Sequence, residues 1–347
     1  MEKHLAQFNP FLKDTSFVNL MTRRIFNVLL VANPYDAFML EDDGRIDEKL
    51  FEEYTRLGLR YPPRFTQVST QEEATQVLQQ MRFELVICMP GTDNSDAFDI
   101  GRGIKEQFPD TPLVVLTPFS HGITRYMERQ DLSLFEYVFC WLGNTELLLS
   151  IIKLMEDKMN LEHDIREGGV QMILLVEDSI RFYSSVLPNL YKYVLEQSRA
   201  FATEALNAHQ ATLRMRGRPK IVLARTYEEA WLLYNTYRNN TLGVISDVRF
   251  PMFEGGGKVA DAGVRLLRDI RTCDEFLPLI MESSESDNRI WATEVGAGFV
   301  DKNSKKMNID LRDRIEQHFG FGDLVFRDPG TGAEVARVHN LRELQDN

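Results

Sequence analysis

The sequence predicts an α/β protein built from two doubly wound, five-stranded parallel sheets in tandem. Two observations carry that expectation. Short apolar runs alternate with amphipathic stretches along the whole chain, and the first half of the chain echoes the second. Near-continuous apolar runs mark strands covered on both faces, as in a parallel sheet. Strand and helix in strict alternation give a doubly wound sheet.

The strand runs of the first half are Asn27–Ala32, Phe65–Ser69, Leu85–Met89, Leu113–Thr117 and Tyr137–Cys140. Those of the second are Met172–Val176, Lys220–Ala224, Leu242–Ser246, Leu279–Met281 and Gly298–Val300. Gln71–Arg82 and Ala262–Arg271 have helical periodicity. A long helix is expected over Asn144–Ile165, with Asn144 as N-cap, Glu146 in the first turn and Gly168-Gly169 past its end. Both halves carry extra length after their first strand. Ile180–Pro219 is about twice what one crossover helix needs. Its apolar spacing suggests a long or doubled helix that packs on its own domain or pairs with another protomer.

The echo between the halves is specific. NVLLV (Asn27–Val31) matches MILLV (Met172–Val176), TPLVVLT (Thr111–Thr117) matches LPLIMES (Leu277–Ser283), and STQEEATQVL (Ser69–Leu78) matches RTYEEAWLLY (Arg225–Tyr234). The period is far longer than that of a solenoid repeat, so it marks two copies of a domain. The expected division is an N-terminal arm (1–24), a first domain (25–165), a second domain (170–320) with a helical insertion at 180–219, and a C-terminal extension (321–347). The extension reads as a β-hairpin, FGDLVFRD turning at Pro329-Gly330 into EVARV.

Composition narrows the function. A chain of 347 residues, 44% hydrophobic and 27% charged, suits two ordinary globular domains. A net charge of −12 gives no general attraction to nucleic acid or anionic lipid. RMRGRPK (Arg214–Lys220) resembles the minor-groove core of an AT-hook, but its place inside a domain favours a helix end followed by a strand. No apolar run is long enough to span a membrane, and the first 24 residues lack the apolar core of a signal peptide, so a cytoplasmic location is expected. Three cysteines and six scattered histidines form no zinc spacing.

Chemistry gathers at the strand ends of the second half. In doubly wound sheets, ligands sit at the carboxyl ends of the strands. There the sequence places Glu177-Asp178 after the first strand, Asp247 after the third, Ser283 after the fourth, and Phe299 with Lys302 at the fifth. Converging carboxylates repel one another unless a hard divalent cation binds them through oxygen. Mg2+ suits a site with few protein ligands and a phosphate to bridge. An ammonium, a hydroxyl and a carboxylate nucleophile complete what phosphoryl transfer to a carboxylate requires.

With LLVED, ISDVRFP, LPLIMESS and GAGFVDK in this order, residues 172–306 resemble the receiver domain of two-component response regulators, a flavodoxin-like fold. The resemblance implies that Glu177, Asp178 and Asp247 hold Mg2+, with the backbone carbonyl of Arg249. It implies that Asp247 accepts a phosphoryl group from a histidine kinase or phosphotransfer protein, assisted by Lys302 and Ser283. Ser283 then moves toward the phosphoryl oxygens and Phe299 turns inward behind it, changing the face of the fourth and fifth strands, where a homodimer or another partner docks. Asn303 stands where the family has proline and puts the usual cis bond there in doubt.

The first half lacks this set. Ala32-Asn33 align with the acid pair, Met89 with the acceptor, Thr117 with the hydroxyl, and Cys140 or Trp141 with the lysine. It therefore resembles a degenerate receiver that binds no Mg2+, its loop acids Asp93, Asp96 and Asp99 being solvated. Over nearly the whole chain, DGRIDEKLFEEY, RPKIVLARTYEEAW, DKNSKK and FGFGDLVFRD resemble the N-terminal regulatory region of phosphoenolpyruvate synthase-like fusion proteins. That implies a downstream catalytic module. Two other functions compete with the switch. One is a scaffold that is never phosphorylated. The other is an aspartyl phosphatase, disfavoured because haloacid dehalogenase-like enzymes want an acid where Arg249 stands.

Overall fold

The computed structural model describes residues 18–41, 46–89, 96–118, 134–143, 145–202, 215–319, 324–327 and 334–338. The N-cap Asn144, Asp93, the turn at Pro329-Gly330 and most of the N-terminal arm lie outside the described residues.

The first sheet is built from β1 (Asn27–Val31), β2 (Arg64–Val68), β3 (Leu85–Cys88), β4 (Leu113–Pro118) and β5 (Tyr137–Trp141). Helices α1 (Pro34–Glu41) and α2 (Ile46–Arg56) fill the extra length after β1, followed in order by α3 (Gln71–Gln80), α4 (Asp96–Gln107) and α5 (Glu146–Gly168). All strands run parallel in the order β2-β1-β3-β4-β5. The second sheet is built from β6 (Met172–Val176), β7 (Lys220–Ala224), β8 (Thr241–Asp247), β11 (Leu279–Ser283) and β12 (Gly298–Asp301). Its order, β7-β6-β8-β11-β12, repeats the first. Helices α6 (Ile180–Ala202), α7 (Tyr227–Thr236), α8 (Ala262–Cys273), α9 (Arg289–Glu294) and α10 (Met307–His318) accompany it. Both sheets therefore have the flavodoxin-like order 2-1-3-4-5, which reverses direction between the first and third strands.

The repeat holds down to single hydrogen bonds. Thr70 caps α3, its hydroxyl accepting from Glu73 N–H at 3.2 Å, while Glu73 Oε2 accepts from Ser69 N–H at 2.8 Å. Thr226 caps α7 with the same 3.2 Å bond from Glu229 N–H, and Glu229 Oε2 accepts from Arg225 N–H at 2.8 Å. Threonine with glutamate three residues on satisfies otherwise orphaned amides at a helix start.

Three differences from the sequence reading have plain causes. β2 is an edge strand whose residues are mostly exposed or half-buried. Its RFTQV carries polar residues, so covering on both faces does not apply to it. Helix α5 continues past Ile165 to Gly168, and Gly169, at φ +61°, ends it. A two-residue antiparallel ribbon, β9 (Phe250–Pro251) with β10 (Lys258–Val259), stands in the loop after β8. At the C-terminal end, β13 (Leu324–Arg327) pairs antiparallel with β14 (Glu334–Val338), the hairpin expected there.

The described part of the insertion after β6 holds a 23-residue helix, Ile180–Ala202, with Pro188 inside it, and a helical end at Met215-Arg216. Tyr183, Val186, Leu187, Leu190, Tyr191, Tyr193, Val194 and Leu195 on it are buried, so its apolar side is used within the chain. The chain divides into two compact units. One takes in Met21–Met159 with Ser179–Pro188; the other takes in Asn160–Asp178 and the chain from Asn189 onward. Within the first unit, Ser184 Oγ accepts from Cys140 N–H at 2.9 Å, and Tyr183 donates its hydroxyl to Val138 C=O. The Tyr183 ring also meets Phe139 edge-on at 5.5 Å. These contacts cover the outer side of β5, the last strand of its sheet.

Candidate functional site

The second sheet delivers the charged residues to one edge because each ends its strand. The β8–β11 register sets Asp247 beside Glu282, and β11–β12 sets Ser283 beside Asp301, one residue before Lys302. Glu177 follows β6 and is tied down by its backbone N–H to Ala224 C=O at 3.0 Å. Among the described residues, carboxylate oxygens of Glu177, Asp178 and Asp247 lie within 4.8 Å of one another.

Two ammonium groups enter this cluster. Buried Lys302 donates from Nζ to Asp247 Oδ1 at 2.6 Å and also to Glu177 Oε2. Lys258, on the β9–β10 ribbon, pairs with Asp178 Oδ2 at 2.7 Å. The other oxygen of Asp178, Oδ1, is buried and has no hydrogen-bond partner. Burial raises the Asp178 carboxyl above the usual aspartate range; the Lys258 bond opposes this and the Asp247 charge adds to it. Burial by itself would lower the Lys302 ammonium, but the charges of Glu177, Asp247 and Glu282 outweigh it and the group is raised. Lys302 is therefore a fixed positive charge.

Ser283 is buried. Its hydroxyl accepts from Asn288 Nδ2 at 2.8 Å and from Glu285 N–H at 3.0 Å. Phe299 is already turned inward at 7% exposure, packed in the core that contains Met281 and Val295. The Arg289 guanidinium lies 4.8 Å from the ring centroid. The expected inward turn of this aromatic therefore has no outward starting point in this structure. Arg249 is exposed, and its backbone N–H donates to Asp247 Oδ2 at 3.3 Å. No described peptide bond is cis. Asn303 donates its side-chain amide to Ser284 C=O at 2.7 Å and its backbone N–H to Asp301 Oδ1 at 2.8 Å, which fixes the turn after β12.

Four residues here escaped the sequence reading. Lys258 follows three glycines in a loop without periodicity, and nothing in the sequence points it at Asp178. Asn288 is equally silent. Glu282 did leave a signal, since an acid interrupts the apolar run LPLIMES. It is fully buried with Oε1 unpartnered, and burial pushes its carboxyl up to about 7, with Lys302 opposing and Asp247 adding. Gly263 also left one, a glycine in the first turn of a helical pattern. A Cβ there would lie 1.9 Å from the Asp247 carbonyl oxygen.

In the first sheet, register settles the alignment. Val31 pairs with Cys88 as Val176 pairs with Ser246, so Met89 occupies the place of Asp247. Thr117 pairs with Cys140 as Ser283 pairs with Asp301, so the lysine position falls on Trp141 rather than Cys140. Thr117 donates its hydroxyl to Phe139 C=O at 3.3 Å, and Ala32 and Met89 are buried. Asp99 pairs with Arg102 on the exposed side of α4, which Asp96 begins.

No protein-family model matches the chain, and no curated protein matches it. Solved structures that resemble it include a response regulator receiver domain protein from Clostridium thermocellum, 18% identical over 43% of this chain and 94% of that one, with a TM-score of 0.30. A probable two-component system response regulator/GGDEF domain protein is 15% identical over 84% and 97%, with a TM-score of 0.33. The C-terminal part of E. coli RcsC, containing a linker region and phosphoreceiver domain, is 14% identical over 84% and 93%, with a TM-score of 0.26. The likeness to phosphoenolpyruvate synthase-like fusion proteins has no counterpart among them. The flavodoxin-like assignment of both sheets stands on their own strand order and parallel registers.

Proposed function

We propose that residues 172–306 form a phosphoryl-accepting receiver, that Asp247 is the acceptor, and that the first sheet is a receiver-like module without a reaction of its own. The observation that carries this reading is the pair of bonds from Lys302 Nζ to Asp247 and Glu177, beside a buried Asp178 oxygen with no partner. The three carboxylates within 4.8 Å of one another, with one oxygen unengaged, form an oxygen-only donor set of the kind a hard cation such as Mg2+ takes. Glu177, Asp178 and Asp247 would hold the ion, with the Arg249 carbonyl as the further ligand the resemblance implies. When bound, Mg2+ supplies positive charge to the phosphoryl oxygens during transfer.

The chain's own residues do the rest. Asp247 carries the attacking oxygen. As its bond to phosphorus forms, the bond from phosphorus to the donor breaks, and a histidine donor leaves with the electron pair and takes a proton. Lys302 stays charged throughout and holds both the nucleophile and the incoming oxygens. Ser283, once released by Asn288, donates its hydroxyl to a phosphoryl oxygen. The chain on this reading catalyses only its own phosphorylation and dephosphorylation, and a histidine kinase or phosphotransfer protein is the source of the group.

Incubation with acetyl phosphate and Mg2+ tests this. One phosphoryl group should add to the parent chain and none to Asp247→Asn. Retention of the mass shift in that variant refutes the assignment, and absence of any shift in the parent favours the scaffold reading.

A further inference from the structure

The partner of Asp178 comes from outside the strand-end set. Lys258 opens β10, where it faces Pro251 across a pairing only two residues long. Gly255, Gly256 and Gly257 precede it, Gly255 at φ +75°. Phe250 is fully buried and anchors the first strand of the ribbon, whereas the Lys258 side chain is 50% exposed. The two ammonium groups of the site are thus held differently. Lys302 is enclosed and bonded twice, while Lys258 makes one ion pair from a short ribbon with open water beside it.

The three carboxylates of the metal-binding set outnumber the two ammonium groups that pair with them. An ammonium on Asp178 Oδ2 neutralises that carboxylate but does not engage its Oδ1. A dication at the acid pair would engage more oxygens and would repel an ammonium on the same carboxylate. Exposed ion pairs are weak, so Lys258 is the group that can leave.

We propose that Lys258 is an exchangeable internal counter-ion that occupies Asp178 until a divalent cation displaces it, and that it thereby sets the affinity of the cation site. The inference rests on the reading of Glu177, Asp178 and Asp247 as a metal-binding set. It makes metal entry and release of the β9–β10 ribbon a single event.

The test is calorimetric titration of Mg2+ into the full chain, with Mn2+ followed by electron paramagnetic resonance, in the parent, Lys258→Met, Lys258→Arg and Asp178→Asn. Lys258→Met should tighten binding by about three- to tenfold, the range expected when a partly exposed competing charge is removed. Lys258→Arg should stay near the parent, and Asp178→Asn should weaken binding. In the parent, hydrogen exchange of the amides in residues 250–259 should rise when Mg2+ is added. Unchanged or weaker binding in Lys258→Met, or a ribbon equally protected with metal, overturns the counter-ion role and leaves the metal site standing. Absence of binding in both the parent and Lys258→Met overturns the site itself, and the inference with it.

Discussion

At position 263 the fold allows no side chain. The Gly263 N–H bonds to Val248 C=O at 2.9 Å, which presses the start of α8 onto the end of β8. A Cβ there would meet backbone atoms of Asp247 and Val248, which cannot swing aside. Gly263→Ala should therefore cost about 1–3 kcal/mol, as overpacking does, and should slow phosphoryl acceptance by shifting Asp247. Gly257, with nothing within 4 Å, serves as the control, and Gly257→Ala should move the urea midpoint little. Ser283→Ala should still accept a phosphoryl group on Asp247, because it removes no ligand or nucleophile. It should lose any change in sedimentation that phosphorylation brings to the parent, since Asn288 then has no hydroxyl to release. Retention of that change would place the readout elsewhere. At this scale the sequence is most legible where a charge ends an apolar strand, as at Asp247, because position in the strand fixes position in space. It is least legible where a loop residue reaches back, as Lys258 and Asn288 do, because no periodicity constrains them.

Among the elements, α5 and β7 share a buried ion pair. Lys220 Nζ lies 2.7 Å from Asp164 Oδ2, and both side chains are fully enclosed. Removing one partner leaves a buried charge without its counterpart, so Lys220→Met should cost about 3–5 kcal/mol in a urea titration. Lys220→Met combined with Asp164→Leu should recover part of that loss, and no recovery would mean that other contacts of these residues matter more. Lys220 reads in the sequence only as the first residue of an apolar strand. That run is right as a strand, but nothing local says that its lysine points inward. β2 fails in the opposite sense, since its polar residues mark an edge that strand alternation alone does not reveal. The ribbon β9–β10 is too short to leave any period at all.

For the whole molecule, the internal repeat makes the architecture legible in the sequence. Two matched strand orders, two matched helix caps and two matched registers follow from one duplicated pattern. What the duplication does not foretell is where the chain's compact units divide. The turns at Ser179–Pro188 come after β6, yet they belong with the first sheet. Their Ser184 and Tyr183 occupy the outward-facing groups of β5 at Cys140 and Val138. A fragment cut at residue 165 would keep all five strands and lose this cover. Its β5 would then offer an unpaired amide and carbonyl along an apolar strand, YVFCW, which is the template that other chains add to. Such a fragment should self-associate in sedimentation, and one extended through Pro188 should do so less. Dissection of this protein for separate study therefore carries an aggregation hazard at a place where the order of domains along the chain suggests a safe cut.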